Sequence, residues 1–129
     1  MKVICFGDSN TYGYDPRPLD GGRYDASCRW VDILQARTGW TVCNLGQNGR
    51  EIPDEAPAFP PDTDLLIVML GSNDLLQGGS PADAVCKLEA FLCGLALPLD
   101  RLLLIAPPAM VPGSWVPNRQ MIEDSRTFA

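Results

Sequence analysis

Ser9 stands in a run of small and polar residues, Gly7-Asp8-Ser9-Asn10, that cuts off an apolar stretch near the start of the chain. Two runs of similar character follow, Asn44-Leu45-Gly46-Gln47-Asn48-Gly49 and Gly71-Ser72-Asn73-Asp74. Together they hold what acyl transfer requires: a hydroxyl nucleophile, and hydrogen-bond donors aimed at the oxyanion that develops on the attacked carbonyl. Ser9 is the candidate nucleophile, and a glycine backbone N–H of the second run, at Gly49 or Gly46, and the Asn73 side-chain amide are the candidate donors. Glycine suits the second position because a residue without Cβ lets the backbone approach a substrate closely. Asp8 and Asp74 read as loop-holding residues that bond to backbone rather than as acids. Each run alone is ordinary turn chemistry. Three of them in order, each after an apolar strand, carry the weight.

The elements that must position these residues alternate in type. Lys2 to Phe6 is a short apolar strand, and residues 7 to 27 read as a long loop. Ser27 is placed to cap a helix from about Arg29 to Thr38 that Gly39 ends. Thr41 to Leu45 is a second strand, and a proline-rich connection leads to a third, wholly apolar one from Leu65 to Leu70. Ser80-Pro81-Ala82-Asp83 is a strong helix start. That helix shows Val85, Leu88, Leu92 and Leu95 at helical spacing and runs to near Pro98. Arg101 to Ile105 is a fourth strand, and Met121, Ile122, Ser125 and Phe128 begin a last helical pattern. Alternating strands and helices with continuous apolar strands imply an α/β fold, a parallel sheet covered by helices in three layers. The expected strand order is 2-1-3-4. Ligands of such sheets bind beyond the carboxyl ends of the strands, where the three runs fall.

These motifs resemble the GDSL family, also called SGNH hydrolases. Gly7-Asp8-Ser9 resembles its first block, Gly49 the glycine of its second, and Gly71-x-Asn73-Asp74 its third. Phe6, Thr11-Tyr12-Gly13-Tyr14, Arg29-Trp30 and Met69-Leu70 fit the surroundings of those blocks, closest to the arylesterase and acyltransferase branch. The resemblance implies a flavodoxin-like α/β/α fold and a serine esterase acting on small acyl esters. It implies that Ser9 attacks the acyl carbon while Ser9 N–H, Gly49 N–H and the Asn73 amide form the oxyanion hole. The family pattern also has a D-x-x-H block whose histidine activates the serine, and this chain has no histidine. The expectation is therefore one domain over residues 1–129, cut or nicked before a fifth strand, with a C-terminal segment or second chain supplying the catalytic Asp and His. The apolar Leu102-Leu103-Leu104-Ile105 run supports it, because an exposed edge of that kind is avoided.

Composition narrows the alternatives. Hydrophobic content of 46% with 20% charged residues is that of a globular chain. A net charge of -6 speaks against nucleic acid or an anionic membrane as partner. The five cysteines form no C-x-x-C pair, and with no apolar leader in view the expected setting is a reducing cytoplasm. Cys5 and Cys43 are expected to be buried in strands, and Cys86 and Cys93 on the inner face of a helix. No cofactor or metal is expected. The competing readings are a flavodoxin-like phosphate-binding module and a non-catalytic relative. The former lacks a glycine-rich phosphate loop, and Arg50, directly after the second run, is the one Lys or Arg in or beside the three runs. Tyr12, Tyr14 and Trp115 are candidate pocket walls, and a homo-oligomer is conceivable.

Overall fold

The computed structural model describes residues 1–129. They form two compact units interleaved along the chain. The first comprises Met1–Arg50, Phe59–Met69 and Leu97–Ile105, and the second Glu51–Ala58, Leu70–Ala96 and Ala106–Ala129.

The first unit is built on a parallel four-stranded sheet of β1 (Lys2–Gly7), β4 (Thr41–Gly46), β5 (Leu65–Met69) and β6 (Leu102–Leu104). Its order, β4-β1-β5-β6, is the one expected from the sequence. β1 is central, and Val3 to Phe6 are buried on both faces, which is why that strand carries no alternation. Its register sets Gly7 against Gly46 on one side and Met69 on the other. α2 (Trp30–Thr38) lays Trp30, Val31 and Leu34 on Val3, Cys5 and Ile67, so one sheet face is a hydrophobic core. Burial pushes the Cys5 thiol up to about 12, which keeps it an inert packing group.

Between β1 and α2 the expected loop is partly ordered. It contains α1 (Ser9–Tyr12) and a small antiparallel hairpin of β2 (Tyr14–Asp15) and β3 (Gly22–Arg23). Ser27 does not cap α2. It lies in a 3₁₀ turn, Ala26–Cys28, capped by Asp25, and Arg29 precedes α2 without a side-chain cap. The local Asp25–Ser27 bonds win because Asp two residues ahead reaches the backbone N–H directly.

The second unit holds α3 (Ser72–Leu76), α4 (Pro81–Cys93) and α5 (Arg119–Phe128), with α5 packed on α3 and α4. The α4 capping box forms as the sequence indicates, Asp83 N–H donating to Ser80 Oγ at 3.1 Å. The helix stops at Gly94, short of Pro98. Its inner face is Ala84, Leu88 and Phe91, while Val85 is exposed. Phe91 completes that stripe, which turns the buried face by one position from the expected Val85 line. Cys86 and Cys93 consequently point outward, and Cys43 on β4 is exposed too. β4 is an outer strand, so alternate residues of it face solvent.

Candidate active site

Ser9 is set by the turn that precedes it. Asp8 is fully buried and caps α1, its Oδ1 accepting from Asn10 N–H at 2.8 Å. The helix closes after one turn, where Gly13, at φ +86°, donates its N–H to Ser9 O. Gly7 is compelled by crowding, because a Cβ there would lie 2.1 Å from Thr11 Oγ1 and 2.6 Å from Met69 O. Ser9 is half-buried and lines a cavity of about 410 Å³. Tyr14, Tyr24 and Trp30 give that cavity aromatic walls, and Cys28 and Arg29 share its lining. Arg29 brings little net charge, as its Nε pairs with Asp32 Oδ2 at 2.9 Å. Trp30 is fixed by donating Nε1–H to Asn10 O at 3.1 Å. The hairpin wall is held by Asp15, whose carboxylate accepts from Arg17 Nε and Nη2 at 2.8 and 2.7 Å. Those bonds hold the Asp15 carboxyl below the usual carboxylate range.

The loop after β4 brings Gly49 to the same end of the neighbouring strand. Gly49 is exposed at φ +75°, and a Cβ built there meets nothing within 4 Å. Its glycine is explained by backbone conformation, and the space on its Cβ side is open. Crowding by the protein itself is found at Gly46, where a Cβ would lie 2.1 Å from Tyr12 N. Asn44 ties the two motifs, donating Nδ2–H to Thr11 O at 2.9 Å and accepting Gly46 N–H at 2.8 Å.

Asn73 lies in the second unit, half-buried in the first turn of α3. Gly71 precedes it at φ +118°, with the Phe128 ring where a side chain would be. Asp74 is buried and holds the chain as expected, its Oδ2 accepting from Ile52 N–H at 3.0 Å and its Oδ1 lying 3.4 Å from Lys87 Nζ. Asp8 and Asp74 thus both bond to backbone. Of the aromatic candidates, Tyr14 lines the Ser9 cavity. Tyr12 is instead covered by the Arg23 guanidinium, 4.4 Å from its ring, and Trp115 is exposed in the second unit. Tyr24 and Cys28 carried no signal in the sequence, and Asn44 stood in the second run without a role of its own, since these roles depend on hairpin and strand register.

The GDSL-like lipase/acylhydrolase family model matches residues 5–129. The chain belongs to that family. It is a family of ester hydrolases, and solved structures agree with the assignment. A protein from Agrobacterium tumefaciens str. C58 assigned as an arylesterase is 28% identical, with a TM-score of 0.78 over 99% of this chain and 74% of that one. A carbohydrate acetylesterase family member from Sinorhizobium meliloti, 24% identical, also gives a TM-score of 0.78, over 99% of this chain and 74% of its own. The aryl esterase of M. smegmatis, 22% identical, gives 0.77 over 98% of this chain and 75% of its own. These last two show the shared fold, the α/β fold of SGNH hydrolases. No curated protein matches the chain in sequence. No helix is long and apolar enough to cross a membrane.

Proposed function

We propose that the chain carries the nucleophile and oxyanion donors of a serine ester hydrolase or acyl transferase acting on small acyl esters. The observation that carries this reading is Ser9, in the first family motif, opening onto an aromatic-walled cavity of about 410 Å³. The Ser9 hydroxyl oxygen adds to the ester carbonyl carbon, and its proton passes to a base. The negative charge on the former carbonyl oxygen is met by the Ser9 and Gly49 N–H groups. Collapse expels the alcohol, which takes a proton, and leaves the acyl group on Ser9. Water or a second alcohol then releases it. The cavity accommodates an acyl or alcohol group of modest size against Tyr14, Tyr24 and Trp30.

The base is the part this chain does not hold, since it contains no histidine and carboxylates are intrinsically far weaker bases. We assign that role to a D-x-x-H segment contributed by further sequence or by a second chain, in a cytoplasmic setting. Serine hydrolases stripped of triad members retain roughly 10³–10⁴-fold catalysis over water from the oxyanion hole and binding. Residues 1–129 should accordingly hydrolyse an aryl acetate feebly, and a D-x-x-H segment should raise the rate by orders of magnitude. Ser9→Ala should remove that gain and abolish labelling by a fluorophosphonate. Full activity of residues 1–129 alone, or labelling that survives Ser9→Ala, would overturn the reading.

A further inference from the structure

Arg50 directly follows Gly49 and turns back onto the strand ends. Its Nη1 donates to Gly7 O at 3.0 Å and also to Leu45 O, and its Nη2 donates to Gln47 Oε1 at 2.9 Å. The guanidinium carbon lies 4.2 Å from the centroid of the Phe6 ring. Gly7 O also accepts from Gln47 N–H at 3.0 Å, so one carbonyl of the Ser9 turn receives both the loop's backbone and its arginine. One planar group thus touches the end of β1, the end of β4 and the loop between Gly46 and Arg50. The side chain is half-buried; burial lowers its pKa, and the charge of buried Asp8 opposes that effect.

We propose that Arg50 is a positioning residue for acyl transfer, clamping the Gly49 loop to the Gly7–Ser9 turn so that the two backbone donors keep a fixed separation. The inference rests on the assignment of Ser9 and Gly49 to the oxyanion hole. The need for a clamp follows from the loop's composition: Gly49 sits at φ +75° with nothing packed on its Cβ side, and the turn around it is closed by a single backbone bond, Arg50 N–H to Gln47 O at 3.2 Å. A guanidinium is suited to the task because its rigid fork engages several carbonyls in one plane while its face stacks on an aromatic ring. An ammonium would restore the charge without that geometry. Donors held in place before reaction need no reorganisation as charge develops, and a displacement of about 1 Å can cost roughly 10²-fold in rate.

Two measurements on the chain with R50M and R50K test this. The first is the ¹⁵N order parameter of the Gly49 amide, with Ile4 and Ile67 as references within the sheet. In R50M it should fall from about 0.85 to below about 0.6 while the references keep their values. The second is fluorophosphonate labelling of Ser9 with a D-x-x-H segment supplied, resolved into a maximal rate and a half-saturating concentration. R50M should lower the maximal rate about tenfold to a hundredfold with the half-saturating concentration unchanged, and R50K should recover little of it. An unchanged Gly49 order parameter in R50M would overturn the inference, as would R50K labelling at the wild-type rate. So would loosening of Ile4 and Ile67 in step with Gly49, which would make Arg50 a general support of the sheet. If wild-type Ser9 is not labelled even when a D-x-x-H segment is supplied, the nucleophile assignment fails, and with it the acyl-transfer role of the clamp. The order parameter then still decides whether the clamp itself exists.

Discussion

The joined ends of β1 and β4 and the outer strand β6 belong to one sheet but are secured by different means. At the first, Arg50, Asn44 and the Gln47 N–H bind carbonyls of residues 7, 11 and 45, adding side-chain bonds to the strand ladder. At the second, three leucines pair with β5 alone, and Leu103 and Leu104 are each 46% exposed. The comparison separates two kinds of order. Apolar burial makes a strand, but directed polar bonds fix the loops that follow it. β6 has the composition of a buried strand in an outer position, the arrangement that sheets ordinarily cover.

Substitutions inside the sheet should show the largest contrast. Leu66, wholly buried on β5, should cost about 2–5 kcal/mol when changed to Ala, since its removal leaves a cavity. Leu104→Ala should cost much less, because nearly half of that side chain already faces solvent. Urea denaturation of the two variants measures the difference directly. Equal losses would mean that the β6 leucines are covered in solution, by a further strand or by another copy of the chain. Leu104→Lys should then disperse any self-association, a result that sedimentation would report.

The sheet was legible in the sequence because each of its strands is a short apolar run bounded by Gly, Pro or Asp. The motif residues were legible for the same reason: Ser9, Gly49 and Asn73 stand out against the strands before them. What could not be read was anything that depends on register. Arg50 was visible as the one Lys or Arg in or beside the three runs, but the Gly7 and Leu45 carbonyls it binds have no sequence signature. The α4 face was misplaced because Phe91, rather than Val85, completes its stripe with Ala84 and Leu88. The short hairpin of β2 and β3 escaped because four paired residues carry no periodicity.

A smaller effect should distinguish the two glycines of the β4 loop. Gly46→Ala drives a Cβ against the backbone of Tyr12, forcing α1 and β4 apart, and should cost about 1–3 kcal/mol. Gly49→Ala meets no atoms and bears only the cost of its positive φ, about 1–2 kcal/mol. Asn separates the causes, because it tolerates the left-handed region but is larger than Ala. Gly49→Asn should be milder than Gly49→Ala, whereas Gly46→Asn should be worse than Gly46→Ala. Thermal melts of the four variants test the ranking, and a Gly46→Asn chain as stable as the parent would refute the packing argument.

The smallest expected effect lies in the hairpin beside the Ser9 cavity. Asp15 accepts from the backbone and guanidinium of Arg17, and the Arg17 guanidinium also stands 5.2 Å from the centre of the Tyr24 ring that lines the cavity. The side-chain bonds from Arg17 are the largest cause of the lowered Asp15 pKa. A carboxylate whose folded-state pKa is depressed contributes stability that is fully present above its unfolded value. That contribution is lost as the pH falls through the folded value. The relevant window therefore lies below the ordinary carboxylate value of 3.8. Arg17 is 75% exposed on its side chain, so solvent and salt screen the pair and the effect on global stability is slight. Its local effect is easier to see. Tyr24 fluorescence, read against a Tyr24→Phe control, should respond to acid in that window, and Arg17→Gln should move the transition up toward 3.8. High salt should move it the same way. A transition indifferent to both changes would mean that the backbone pairing of β2 with β3, rather than the Asp15–Arg17 pair, holds the cavity wall.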